Sequence, residues 1–126
     1  MKKNVVFTGT WAGGSHGVKV MLPMILFEDG QAHIIYCPAL DLSGYGETET
    51  KAKESFETVL SEYLLYTTHK NTFLKDLRNL GWEVKKGKGK LTPPTMADLL
   101  SNNENFTNIF NNYHFKKVNE PVEIPV

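Results

Sequence analysis

Two apolar runs sit close together near the start of the chain. The first is Met21-Leu22-Pro23-Met24-Ile25-Leu26-Phe27, extended backwards through Lys19 by Val18 and Val20. The second is Ala32-His33-Ile34-Ile35-Tyr36-Cys37. Their β-branched and aromatic residues suit a pleated surface, so both read as strands. Asp29-Gly30 lies between them and predicts a two-residue hairpin turn, because glycine and aspartate tolerate positive φ. Along the first strand Val20, Leu22, Met24 and Leu26 share one face, and Met21, Ile25 and Phe27 share the other. Both faces are apolar. One is therefore expected under a helix, the other under a partner or another segment. Pro23 lacks an amide donor and predicts an edge position or a bulge.

After Cys37 the pattern changes. Asp41-Leu42-Ser43-Gly44-Tyr45-Gly46 reads as a polar link that leaves the ladder, with Tyr45 opening a very short third strand. Thr48 then caps a helix whose first turn carries Glu49. Ala52, Phe56, Val59, Leu60, Tyr63 and Leu64 recur at three-and-four spacing, which carries this helix to about Thr68. Glu47–Lys51 and Glu49–Lys53 have the spacing of solvent-side pairs. A second helix follows, capped by Asn71 or Thr72, with Phe73, Leu74, Leu77 and Leu80 on its apolar face and Gly81 as its terminator. Trp82-Glu83-Val84-Lys85 predicts a strand returning to the sheet.

The last third is less regular. Lys85 to Lys90 is a basic, glycine-containing loop, and Pro93-Pro94 punctuates the chain. Thr95 with Asp98 opens a short helix through Leu100. Asn102 to Asn112 is asparagine-rich, yet Phe106, Ile109, Phe110 and Tyr113 keep helical spacing. Phe115 to Val126 reads as extended, and Pro121 and Pro125 place it at an edge or in an arm. At the other end, residues 4–7 predict a short strand or arm, and Thr8 to Gly17 a loop with no phosphate-binding motif.

These elements predict an α+β fold: a small, mainly antiparallel sheet of a β-hairpin plus short strands, packed by one long amphipathic helix. A shorter helix and an extended C-terminal extension complete it. The organisation is an α+β domain over 1–90, with 91–126 packing on the same domain or on a partner subunit.

Composition narrows the classes. The 126 residues carry 14 Lys plus Arg against 14 Asp plus Glu, so no global field attracts nucleic acid. One cysteine, Cys37, excludes an internal disulfide and fits a reducing compartment. The apolar stretch after Lys2-Lys3 is too short for a signal peptide, and no run is long enough to span a membrane. The expectation is a soluble, cytoplasmic protein without cofactor or metal. His33 and Cys37 share a strand face, but two ligands do not make a zinc site, and core packing explains Cys37 better. His16, His69 and His114 stand alone as surface residues. A metal-dependent nuclease needs converging carboxylates, and the predicted strands hold none internally. Lys85, Lys86, Lys88 and Lys90 are candidate nucleic-acid contacts. No aromatic residue is interleaved for base stacking, so a solvated hairpin tip is the simpler reading. Trp11 and Trp82 read as core or interface anchors.

Tyr36-Cys37-Pro38-Ala39-Leu40, then Ser43-Gly44-Tyr45-Gly46-Glu47-Thr48, then the amphipathic helix, resembles the HicB-like antitoxin family. The resemblance covers residues 20–68 and rests on order and spacing. Tyr36, Pro38, Leu40, Gly46 and Thr48 match. Asp41-Leu42-Ser43-Gly44 stands where the family has a proline-glycine turn, and the helix from Asn71 is an addition. The resemblance implies a partial ribonuclease-H-like fold and a homodimer. It also implies a non-catalytic role, binding and occluding a small HicA-type toxin that cleaves mRNA. Many members add a DNA-binding helix-turn-helix or ribbon-helix-helix, but the helices near this C-terminus are not basic. Tyr36, Pro38, Leu40 and Tyr45 flank the strand-to-helix link and are the candidate partner-binding residues; fold packing explains them equally well. The alternatives are an interaction module of the same fold without a toxin, and an RNA-binding protein using the lysine loop.

Overall fold

A computed structural model describes residues 17–85 and 90–125. The expected strand or arm over residues 4–7, most of the glycine-rich loop, His16 and Trp11 lie outside them. The chain is α+β. A meander of β1 (Gly17–Asp29), β2 (Ala32–Cys37) and β3 (Leu42–Gly46) leads into α1 (Glu49–His69) and α2 (Phe73–Asn79). A small hairpin of β4 (Glu83–Lys85) and β5 (Lys90–Thr92) follows. Then come α3 (Met96–Asn102), α4 (Glu104–Asn112) and β6 (Phe115–Pro125).

The main sheet has the order β3-β2-β1-β6, and all its pairings are antiparallel. The β1–β2 turn is Gly30-Gln31, one residue later than the expected Asp29-Gly30, because Asp29 pairs with Ala32. Gly30 alone has positive φ there, +64°, the pattern of a type II′ turn with glycine first. The link after Cys37 is also shorter than expected. It comprises residues 38–41, and Leu42–Gly46 rejoins the ladder as β3. The third strand, expected to open at Tyr45, thus starts earlier, at Leu42; its glycine and polar residues hide its period.

β6 runs beside β1 from Phe115 to Pro125. As the last strand of the sheet it tolerates Pro121 and Pro125. Pro23 sits in the part of β1 that pairs with β6 but not with β2, whose pairing begins at Ile25.

The two faces of β1 separate as the alternation predicts. Leu22, Met24 and Leu26 join Ile35, Cys37, Val122 and Ile124 beneath Ala52, Phe56, Leu60 and Leu64 of α1. Ile25, with Tyr36, lies instead under Leu99, Phe106 and Ile109 of α3 and α4. The chain itself thus supplies cover for part of the second face.

Glycines let α1 come close. A Cβ on Gly44 would lie 2.2 Å from the Phe56 amide nitrogen, and one on Gly46 would lie 2.6 Å from Lys51 Cβ. Thr48 starts α1, its hydroxyl accepting from the Lys51 amide at 3.1 Å. Glu49 lies 3.5 Å from Lys116 on β6, an ion pair across the sheet that the helical spacing with Lys53 did not foretell.

Trp82–Lys85 does not return to the main sheet. Among the described residues Glu83–Lys85 pairs only with Lys90–Thr92, in a separate two-stranded ribbon. Trp82 itself is core, and its indole N–H donates to the Ala39 carbonyl at 2.7 Å. Gly81, at φ +97°, ends α2 as expected. Thr95 and Asp98 form a reciprocal capping box on α3.

Candidate functional site

The four residues flanking the strand-to-helix link part company. Tyr36 and Leu40 are almost wholly covered by the chain's own side chains, and Pro38 is buried with them. Tyr45 is 71% exposed. Leu40 belongs to the core beneath α1, whereas Tyr36 shares the outer face with Tyr45 and is the one that α3 and α4 cover. Leu42, Gly44 and Gly46 turn toward α1, while Ser43 and Tyr45 turn to the opposite, outer face.

On that outer face a polar network ties the β2–β3 turn to the α3–α4 junction. The Tyr36 hydroxyl donates to Asp41 Oδ1 and accepts from the Asn103 amide at 2.8 Å. Asn103 also reaches the Pro38 carbonyl at 3.3 Å, and Asn105 donates to Asp41 at 3.2 Å. Asn103 caps α4 as well, its side-chain oxygen accepting from the Phe106 amide. Asp41 has φ +54°, a left-handed conformation that aspartate tolerates better than most residues. Burial, then the bond to Asp41, raises the Tyr36 hydroxyl well above its ordinary pKa. Tyr36 is thus a neutral structural anchor. Asn103 and Asn105 were not foreseen. Asparagine at Asn103 is a recognisable N-cap, but its second partner is 67 residues away, and local sequence carries no trace of it.

Two depressions flank this network. One is a cleft of about 430 Å³ between the β2–β3 turn, the end of α2 and the α3–α4 junction, with Asp41, Asp98 and Glu104 on its walls. The other is a groove of about 300 Å³ on the outer sheet face, beside α4. Phe27, Ile34 and Ser43 form its floor, and Ile109 and Tyr113 its α4 wall. The Phe27 and Tyr113 rings are 4.9 Å apart. Tyr45 extends the floor, since it pairs with Ile34 across the strands. Asp29 and Asp41 are the charged residues lining the groove.

The remaining candidates are placed as follows. Lys85 and Lys90 are the last backbone pair of the small hairpin before its loop, and Lys86 and Lys88 lie outside the described residues. Cys37 is fully buried in the core, and burial pushes its thiol up to about 12. His33 is half-exposed and lies 3.6 Å from Glu28. Among the described residues no three His, Cys, Asp or Glu side chains gather as a metal set would. Several carboxylates have structural partners instead: Asp41 with Tyr36, Asp76 with Tyr63, Asp98 in its capping box. Among the described residues no helix is long and apolar enough to cross a membrane.

No family model, curated protein or solved structure matches the chain.

Proposed function

We propose that this chain is a HicB-like antitoxin: a non-catalytic protein that binds a small HicA-type toxin and keeps mRNA from its active site. The observation that carries the reading is the exposed Tyr45, set on the half of the outer sheet face that α3 and α4 leave open. An exposed amphipathic aromatic beside a groove that mixes Phe27, Ile34 and Ile109 with polar side chains suits a protein-binding anchor. The segment carrying the family resemblance, from Tyr36 through α1, supports the reading as well. It folds as one strand–turn–strand–helix unit closed by Gly44 and Gly46 against α1. The resemblance also carries the homodimer as part of the proposal.

The test is to mix the purified chain with a HicA-type toxin. Comigration on gel filtration, with mRNA cleavage suppressed in proportion to the bound fraction, is the expected result. Separate elution with cleavage unchanged would leave the fold as an interaction module without a toxin. A second reading draws on the β4–β5 hairpin, which sets Lys85 opposite Lys90. If the protein binds RNA there, replacing Lys85, Lys86, Lys88 and Lys90 by glutamine abolishes the affinity; unchanged affinity dismisses it.

A further inference from the structure

We infer that the groove between α4 and β3 is the seat for an amphipathic helix of a partner protein, one carrying basic residues beside its apolar stripe. The inference rests on the binding role proposed above and specifies its surface and the partner's chemistry. Three observations lead to it.

The first is layer geometry. The α4 helix packs through Phe106 and Ile109 onto Ile25 and Tyr36, so it lies over β1 and β2. Helices in contact run about 8–10 Å apart, which is about two strand spacings. The next helix position on this face therefore falls over β3, where Tyr45 stands exposed and Ile34 is half-covered. A sheet face that still shows Tyr45 and part of Ile34 beside Ser43 leaves room for such a layer.

The second observation disfavours the competing mode, strand addition at the β3 edge. The Tyr45 amide is already engaged, donating to the Ser55 hydroxyl of α1 at 3.2 Å. Gly44 holds the α1 backbone tight against the same strand. An incoming strand would find the Tyr45 amide taken and the helix beside it, which favours side-chain packing on the face over strand addition at this point of the edge.

The third is charge. Among the described residues the groove is lined by apolar, amide and hydroxyl side chains with Asp29 and Asp41, and by no lysine, arginine or histidine. Asp29 accepts from the Tyr113 hydroxyl at 3.3 Å, and Asp41 accepts from Tyr36 and Asn105. Asp29 lies at the hairpin end and Asp41 at the β2–β3 turn, so the two carboxylates stand at opposite ends of β2. A helix with lysine or arginine near both ends of its apolar stripe meets both, whereas an acidic helix is repelled.

The probe is a synthetic amphipathic peptide with a leucine stripe flanked by lysines, compared with the same stripe flanked by glutamates and with a scrambled lysine sequence. Binding is followed by amide chemical shifts of the full chain. Expected is saturable binding of the lysine-flanked peptide alone, with shifts at Ile34, Ser43, Tyr45 and Asn108. Tyr45→Ser, an exposed change that leaves the core intact, weakens it about tenfold, as loss of an anchoring aromatic does. The inference is overturned if the scrambled or glutamate peptide binds equally, if none binds, or if Tyr45→Ser changes nothing. It is also overturned if the free chain forms a dimer that Tyr45→Ser dissociates, since the occupant is then a second copy. A HicA-type toxin bound equally by wild type and Tyr45→Ser preserves the proposed function and removes this surface. Peptide binding without toxin binding does the reverse.

Discussion

A methyl group at Gly44 has nowhere to go, because the neighbouring atoms are the backbone of α1 at Phe56 and Ala52 rather than a movable side chain. Gly44→Ala must push helix and sheet apart, and a loss of about 3 kcal/mol or more in urea unfolding is expected, as for overpacked cores. A loss within about 0.5 kcal/mol, the range of a surface change, would contradict so close an approach. Tyr36→Phe keeps the ring but leaves Asp41 and Asn103 without the hydroxyl, and should cost about 1–2 kcal/mol in the same experiment. Titration offers another check. In the folded chain Cys37 stays protonated up to about 12, against 9.0 for an ordinary thiol, and Tyr36 is raised above its usual 10.0. Above those ordinary values the unfolded chain binds fewer protons than the folded one, so stability falls as pH rises. The contribution is complete below pH 9.0 and is lost progressively toward about 12. Urea midpoints that stay level on crossing pH 9.0 and 10.0 would show that neither group is held neutral by burial. At this scale the sequence was partly legible. Cys37 read as core from residue type, and Trp82 as a core or interface anchor that the structure places in the core, whereas Tyr36 and Leu40 could equally have faced a partner. Leu40 joins the core beneath α1, and what separates Tyr36 from Tyr45 is how far α3 and α4 extend over their shared face, which is decided by residues far along the chain.

Elements with a strong period and a clear start were readable. The α1 helix has a capping threonine, an acidic first turn and a buried stripe of Ala52, Phe56, Leu60 and Leu64, and all of these show in the residues. Thr48→Ala removes the hydroxyl that accepts from Lys51 and should cost about 1 kcal/mol in thermal or urea unfolding. An unchanged midpoint would mean the cap is idle. The start of β3 was hidden, and only Tyr45 onward was expected, because Leu42-Ser43-Gly44-Tyr45-Gly46 trades side chains for close approach. The β4 strand was visible as a strand, but its partner was not: pairing is a tertiary choice, and a three-residue segment carries too little pattern to fix it. Trp82 binds this region to the rest of the fold. Trp82→Phe strands the Ala39 carbonyl without its donor and should cost about 1–3 kcal/mol. Increased amide exchange should follow in the β2–β3 turn, and its absence would mean that water replaces the indole without consequence.

The whole molecule is a sheet with two unequal coverings. The α1 helix closes one face with a continuous core, and α3 with α4 closes only part of the other. Ser55 holds the Tyr45 amide while the Tyr45 side chain points away from the core, so at this residue the sheet offers a side chain rather than a backbone donor. The binding role and the groove meet at Tyr45, which makes it the place to test them. The most direct measurement is a calorimetric titration of the chain with a HicA-type toxin, run in parallel on Tyr45→Ser. Saturable binding that the substitution weakens about tenfold, about 1.4 kcal/mol, is the predicted result. No binding by the wild-type chain, or equal binding by both, would contradict it.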